Sequence, residues 1–231
     1  TEIVVFPTDA AGQLRGFVDA LPSGDVPSDY ADVDGEEVCL LLYTSGSTGE
    51  PKGTCHCHRD MLAIADTYWR NSISPGPDDV LGGPPSIAFA LGFGMFIYFP
   101  LRLGHSAVLE ADKSPEKALA LIERHGVTIF AGVVSYLNNL ARLARDIDSN
   151  LSSLRRVMVG GEPLSEENER RWLEQTGLPL EQFFGTTEML PCFVTSSKPA
   201  DPPHPAVLGH AIPGYELAVL DVDTFAPLPV G

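Results

Sequence analysis

The sequence has few basic residues, few cysteines and no long apolar run. Its 15 Lys and Arg are outnumbered by 31 Asp and Glu, so the formal net charge of -16 argues against a general nucleic-acid or anionic-membrane surface. Its 4 cysteines form no disulfide-framework pattern, which is typical of a reducing compartment. No apolar run is long enough to cross a bilayer, and the start carries no signal-type segment. We therefore expect a cytoplasmic protein with neither nucleic-acid nor membrane partners.

The run Cys55-His56-Cys57-His58 resembles a metal site at first sight. If the run lies on a strand, successive side chains point to opposite faces, so only two of the four would share one ion. A tetrahedral zinc site would then need ligands from elsewhere, and no CxxC or HxxxH spacing supplies them. We do not predict a metal site in this run.

Strand-like and helix-like segments alternate beyond the first 37 residues. A continuous apolar run predicts a buried strand at residues 38–43. Further strands are predicted at residues 54–57, 107–109, 127–131, 156–159 and 180–184, and strand character at 207–220. Helices are predicted at residues 60–70, 114–126, 135–146 and 165–177. This alternation predicts an α/β fold around a largely parallel sheet, with part of a second subdomain at the C-terminal end.

A glycine-rich loop, Thr44-Ser45-Gly46-Ser47-Thr48-Gly49-Glu50-Pro51-Lys52-Gly53, follows the first of these strands. Its glycines let backbone N–H groups converge on an anion, and Lys52 adds a charge that reaches a phosphate oxygen. A Walker A loop is excluded, because that motif ends in Gly-Lys-Ser/Thr, whereas here Pro51 precedes the lysine and Gly53 follows it. No GxGxxG fingerprint opens a helix. The loop therefore indicates phosphate binding of another kind.

Two later loops also follow predicted strands. They are Gly160-Gly161-Glu162-Pro163-Leu164 and Phe184-Gly185-Thr186-Thr187-Glu188. Ligands of open parallel sheets bind beyond the carboxyl ends of the strands. We therefore expect all three loops to line one crevice.

The three motifs, in this order, resemble those of the adenylate-forming superfamily, which includes acyl- and aryl-CoA ligases, nonribosomal-peptide adenylation domains and luciferases. The shorter segments His56-x-His58-Arg59-Asp60, Ala88-Phe89-Ala90-Leu91-Gly92 and Glu188-Met189-Leu190 most resemble benzoate and 2-aminobenzoate CoA ligases. The resemblance extends from about residue 38 to residue 231.

This resemblance implies that ATP activates a carboxylic acid, here an aromatic one, to acyl-AMP, which then forms a thioester with coenzyme A. It implies phosphate binding by Thr44, Ser45, Gly46, Ser47, Thr48, Gly49 and Lys52. It implies adenine binding by Gly161, Glu162, Pro163, Phe184 and Gly185. The implied acyl pocket comprises Ala88, Phe89, Gly92, Gly160 and Met189. Thr187 and Glu188 would be the catalytic residues, with Glu188 as the Mg²⁺ ligand.

The family pattern also sets the expected organisation. Residues 1–37 would connect to a missing N-terminal part, residues 38–205 would form the ATP- and acyl-binding core, and residues 206–231 would begin a β-rich subdomain. The family's ribose-binding aspartate, hinge and C-terminal lysine find no match here. We therefore expect the chain alone to form little acyl-AMP, and exposed sheet edges to permit homo-oligomers. A carrier-protein-loading adenylation domain, a non-catalytic nucleotide-binding module and an unrelated kinase-like phosphate binder stay open as alternatives.

Overall fold

The computed structural model describes residues 3–6, 32–44, 49–197 and 208–229. Its strands are β1 (Ile3–Phe6), β2 (Val38–Thr44), β3 (Lys52–Cys57), β4 (Val80–Gly82), β5 (Ser106–Glu110), β6 (Ile129–Gly132), β7 (Arg156–Val159), β8 (Leu180–Phe184), β9 (Val194–Thr195) and β10 (His210–Ala211). Its helices are α1 (His58–Ile64), α2 (Ala90–Phe93), α3 (Phe99–Leu103), α4 (Pro115–His125), α5 (Val134–Asp146) and α6 (Glu166–Thr176). None of these helices is long and apolar enough to span a bilayer.

One sheet of eight strands organises the fold, in the order β1-β5-β4-β6-β7-β8-β9-β10. The strands from β1 to β8 in that order pair in parallel. Only β9 and β10 run antiparallel to their neighbours at one edge. The prediction of an α/β fold with a largely parallel sheet is confirmed. β1 was not predicted, and the domain boundaries stay a prediction.

Two hydrophobic layers cover the two faces of the sheet. Because strand side chains alternate, Ile129 and Ala131 of β6 join one layer and Phe130 joins the other. The first layer contains an aromatic cluster in which the rings of Trp69 and Phe99 stack with centroids 4.9 Å apart. The second layer is built from the apolar faces of α4, α5 and α6. With both faces covered, the ends of the strands are the accessible part of the sheet.

Glycines end two helices where the sequence predicts. Gly126 after α4 and Gly177 after α6 adopt left-handed backbone conformations with φ of 61° and 72°, which glycine allows without a Cβ penalty. At the start of α6, the Ser165 hydroxyl accepts a hydrogen bond from the Asn168 amide. Ser114 before α4 differs from the prediction, because its side chain makes no capping bond.

Helix α1 begins two residues earlier than predicted. The Cys57 amide donates to the Asp60 carboxylate at 2.8 Å, which starts the helix at His58. The helix continues as a π-helical segment, Ala65–Ile73, and a second π-helical segment, Gly94–Tyr98, joins α2 to α3. The predicted helix at residues 60–70 is therefore confirmed in position but is longer and partly π-helical.

The apolar run at residues 38–43 forms a strand, but the prediction that it is buried is wrong. Among the described residues β2 pairs only with β3, as a two-stranded antiparallel hairpin separate from the large sheet. One side of this hairpin faces outward, so Val38, Leu41 and Tyr43 are exposed while Leu42 is buried. Continuous apolarity alone does not distinguish such a hairpin from a strand of a covered sheet.

The C-terminal part has less strand structure than expected. In residues 208–229, β10 covers two residues and a single bridge joins Leu220 to Pro227. The first predicted residue, Val207, lies outside the described residues. Several apolar side chains here are exposed, including Val222 and Phe225.

Candidate functional site

A cavity of about 820 Å³ lies beyond the carboxyl ends of β4, β6, β7 and β8. Its wall is chiefly apolar and comes from segments that are far apart in the sequence. The lining residues are 84–86, 89–92, 132–133, 159–163, 182–187, 191 and 208. Both loops that follow β7 and β8 therefore meet at one cavity. This is the edge at which ligands of parallel α/β sheets bind.

The loop after β7 contributes Gly160, Gly161, Glu162 and Pro163 to this wall. Gly160 allows close packing, since a Cβ there would lie 2.5 Å from the Phe183 ring. The Glu162 carboxylate does not project freely into the cavity. It accepts hydrogen bonds from the Ser135 amide at 2.9 Å and the Ser135 hydroxyl at 2.8 Å, at the start of α5. The loop is thereby attached to a helix that has no side-chain cap of its own.

The segment after β8 forms the opposite side of the cavity. Phe184 is 47% exposed, and its ring packs edge-to-face on Phe193 with centroids 5.3 Å apart. A Cβ at Gly185 would lie 1.6 Å from the Pro191 carbonyl oxygen, so only glycine fits there. Phe184, Gly185 and Thr187 all line the cavity.

Glu188 lies next to this wall, in the 3₁₀ turn Thr187–Met189, and is exposed. Hydrogen bonds from its own backbone N–H and from the Thr186 hydroxyl lower the pKa of its carboxyl, and nearby His56 adds to the effect. The carboxylate therefore remains ionised at neutral pH and offers hard oxygen ligands to a cation.

The predicted acyl-pocket residues divide into two groups. Phe89, Gly92 and Gly160 line the cavity, and a Cβ at Gly92 would lie 2.1 Å from the Ser86 carbonyl oxygen. Ala88 and Met189 are not among the lining residues, and Met189 is exposed. The cavity thus brings together part of the predicted pocket.

The glycine-rich loop lies at the tip of the β2–β3 hairpin. Thr44 and Lys52 are paired across the two strands and close the base of the loop. Gly49 has a φ of 95°, while Ser45, Gly46, Ser47 and Thr48 lie outside the described residues. Among the described residues, Thr44, Gly49 and Lys52 do not line the cavity. The expected single crevice therefore contains two of the three loops in the part of the chain that the structure describes.

The Cys55-His56-Cys57-His58 run lies at the end of β3 and the start of α1. As predicted for a strand, neighbouring side chains point to opposite faces, with Cys55 exposed and His56 buried. Within the described residues no group of three or more His, Cys, Asp or Glu side chains is arranged to hold a metal ion.

Gln182 of β8 is a cavity residue that sequence reasoning missed. Its side chain is 4% exposed and lines the cavity, and its Nε2 has no hydrogen-bond partner among the described residues. A buried amide without a partner is costly, so a ligand acceptor would satisfy it. The available signal was a polar residue two positions before the Phe184 motif in an otherwise largely apolar strand.

With its parallel sheet and its motif-lined cavity, the chain belongs to the AMP-binding enzyme family, whose model matches residues 5–231. It is 35% identical over 205 residues to the benzoate–CoA ligase of Thauera aromatica, covering 88% of this chain and 38% of the relative. It is 34% identical over 228 residues to the L-proline–[L-prolyl-carrier protein] ligase of Streptomyces coelicolor, covering 95% of this chain and 41% of the relative.

Solved structures agree with this assignment. The structure of the anthranilate CoA ligase AuaEII in complex with anthranoyl-AMP superimposes with a TM-score of 0.79 at 29% identity. The match covers 87% of this chain and 39% of that one. The chain thus spans about two fifths of the length of each of these three relatives.

Proposed function

We propose that the protein to which this chain belongs uses ATP to activate an aromatic carboxylic acid to acyl-AMP and then transfers the acyl group to coenzyme A. The observation that carries this proposal is the convergence of the Gly160–Pro163 and Phe184–Thr187 segments on one largely apolar cavity. The similarity to ligases for benzoate and anthranilate supports it.

The nucleotide end of the cavity would be formed by polar and aromatic groups. The exposed ring of Phe184 offers a stacking face for adenine, and the backbone of Gly161–Pro163 offers the opposing wall. The free Nε2 of Gln182 would donate to an acceptor of the bound ligand. Thr187 would donate its hydroxyl to the α-phosphate, and the Thr44–Gly53 loop would hold the outer phosphates.

Glu188 fits a Mg²⁺ ligand, because its carboxylate is exposed, ionised and adjacent to Thr187. When bound, Mg²⁺ supplies charge neutralisation to the phosphate oxygens. In the first half-reaction, a carboxylate oxygen bonds to the α-phosphorus and the bond to the bridging oxygen breaks, releasing pyrophosphate. In the second, the thiol of coenzyme A attacks the acyl carbonyl and AMP leaves with the electron pair. The residues of the chain would orient the reacting groups and stabilise the negative charge on the phosphate oxygens.

The acid would bind at the apolar end of the cavity. Phe89 and Phe183 line the cavity with rings and Leu91 lines it with aliphatic surface, and these side chains would form that end. A flat aryl acid matches this lining better than a flexible chain, which loses more conformational freedom on binding.

A carrier-protein thiol is the second candidate acceptor, because the similarity to the L-prolyl-carrier protein ligase extends over 95% of this chain. Coenzyme A and a carrier protein share the first half-reaction. Thioester formation by the whole enzyme with free coenzyme A, measured by mass spectrometry, distinguishes the two. The low acyl-AMP yield of the isolated chain and its self-association stay predictions, checked by pyrophosphate release and by analytical ultracentrifugation.

Calorimetric titration of the 231-residue chain tests the substrate assignment. The chain is saturated with Mg-ATP and titrated with benzoate, 2-aminobenzoate and octanoate. We expect the aryl acids to bind more tightly, and the variant Phe89→Ala to weaken them. Phe225→Ala, which removes an exposed ring away from the cavity, is the matched control. Tighter binding of octanoate would exclude an aryl substrate, and absence of Mg-ATP binding would contradict the nucleotide site.

A further inference from the structure

His56 is the member of the Cys55-His56-Cys57-His58 run that has a distinct environment. Its side chain is 3% exposed, whereas Cys55 on the same strand is exposed. Its Nε2 lies 2.9 Å from the backbone carbonyl oxygen of Thr187. A carbonyl oxygen only accepts hydrogen bonds, so Nε2 carries the proton and donates it.

This hydrogen bond joins two segments that are 131 positions apart in the sequence. His56 is on β3, the strand that begins at Lys52 and closes the base of the glycine-rich loop. Thr187 opens the 3₁₀ turn that carries Glu188. In the described part of the chain, no other hydrogen bond links the β2–β3 hairpin to this turn.

The hairpin needs such a link because it is not a strand of the large sheet. In the part of the chain that the structure describes, β2 and β3 pair only with each other, so no ladder of backbone hydrogen bonds holds the hairpin at a set distance from the cavity. Leu42 packs the hairpin into the first hydrophobic layer, and the buried His56 donor adds a directional contact at a single point. Any buried histidine needs a hydrogen-bond partner, and a nearby backbone carbonyl usually supplies it. The partner of His56 is instead in the other proposed ligand-binding segment, 131 positions away.

We propose that His56 is a positioning residue for Mg-ATP binding. Its hydrogen bond holds the β2–β3 hairpin, with the glycine-rich loop, at a fixed position relative to Thr187 and Glu188. The inference rests on the proposed function and adds to it. A nucleotide with outer phosphates needs both segments at a fixed separation. AMP needs only the cavity loops and Thr187, so it does not depend on the position of the hairpin.

Four variants of the 231-residue chain test this role, with calorimetric titration of Mg-ATP and of AMP. His56→Gln places an N–H donor three bonds from Cβ, as the Nε2 of histidine does. His56→Asn places the donor only two bonds from Cβ. His56→Leu removes the donor and roughly keeps the volume. Cys55→Ala, on the exposed face of the same strand, is the matched control. Thermal melts of each variant report whether it is folded.

Loss of this donor should weaken Mg-ATP binding by ~10-fold, because it leaves the Thr187 carbonyl unpaired and removes the hydrogen bond that orients the hairpin relative to the turn. We expect His56→Leu and His56→Asn to show this loss with AMP affinity nearly unchanged, and His56→Gln and Cys55→Ala to resemble wild type. If His56→Leu does not fold, comparing the Mg-ATP affinities of His56→Gln and His56→Asn still shows whether the position of the donor matters.

Four outcomes would overturn the inference. Equal weakening of Mg-ATP and AMP would indicate a general loss of structure. Equal Mg-ATP affinities of His56→Gln and His56→Asn would show that the position of the donor does not affect binding. If the wild-type chain binds neither nucleotide, the proposed function fails and this inference fails with it, whereas unchanged Mg-ATP binding by folded His56→Leu overturns the positioning role alone.

Discussion

The contact between Gly160 and the Phe183 ring allows a sharp test of how the cavity wall is built. A Cβ at Gly160 would lie 2.5, 2.6 and 2.8 Å from Cζ, Cε2 and Cε1 of Phe183. Overpacking of a well-filled core costs about 1–3 kcal/mol. We therefore expect Gly160→Ala to lower the free energy of unfolding by about 2 kcal/mol.

The three atoms that clash are the distal ring atoms, which leucine lacks. Phe183→Leu alone should cost about 1–2 kcal/mol through lost packing. In the double variant Gly160→Ala/Phe183→Leu the added methyl group occupies space left by the ring. The double variant should therefore be no less stable than Phe183→Leu, which gives a coupling energy of about 2 kcal/mol.

Urea denaturation followed by tryptophan fluorescence measures these free energies, because Trp69 and Trp172 are 0% and 1% exposed. Gly76→Ala is the control for the backbone effect of replacing glycine, since the nearest atom to its Cβ would be 3.8 Å away. Additive losses in the Gly160→Ala/Phe183→Leu double variant would refute the steric reasoning. Equal losses for Gly76→Ala and Gly160→Ala would refute it as well.

Three further predictions follow from other contacts. Glu162→Ala should lower the free energy of unfolding, measured in urea melts, by about 1 kcal/mol, because the start of α5 loses its only side-chain acceptor among the described contacts. Adding Ser135→Ala to this variant should lower it little further. Burial raises the pKa of Cys192 to about 12, so at pH 8 its thiol should react with a disulfide reagent far more slowly than the exposed Cys55; equal rates in the folded chain would contradict this. Burial would raise the pKa of Asp79, but hydrogen bonds from an arginine, a threonine and a backbone amide outweigh it and lower the pKa. Wild type should therefore be more stable than Asp79→Asn by about 2 kcal/mol above about pH 4, and this difference should shrink as the pH falls further. A difference in urea midpoints that stays constant down to pH 2 would exclude this linkage.

Local sequence signals predicted the elements whose ends depend on nearby residues. Arg156–Val159 and Leu180–Phe184 have the predicted bounds, and Gly126 and Gly177 end their helices as predicted. These features depend on apolar runs and on glycine's access to positive φ, both of which are visible within a few residues. The position of the loops after β7 and β8, each directly following a predicted strand, also indicated that they would lie together, because strands of a parallel sheet end at the same edge. The same expectation for the glycine-rich loop is not met by its described residues, which do not line the cavity.

Features set by distant partners could not be predicted in this way. The exposure of Tyr43 depends on β2 pairing with β3 alone, which the apolar run does not encode. The Glu162 carboxylate contacts Ser135, 27 positions earlier, where it replaces the side-chain cap that α5 lacks. Gln182 differs from any other polar strand residue only once its burial and its free Nε2 are known. The first two features depend on interactions between elements that are separated in the sequence, and the third depends on burial by the assembled fold.

The wide sequence separation between His56 and Thr187 also affects how the chain matures during synthesis. Residues emerge from the ribosome at about 5–20 per second, so the 131 positions between the two partners take roughly ten seconds. During that interval the hairpin lacks its hydrogen-bond acceptor, and the strands that form the cavity are synthesised one after another. Pairing of distant parallel strands is slow, so these contacts close last. Nucleotide binding would then stabilise only chains that have completed this final step, and the ligand would act late in folding rather than as a template for it.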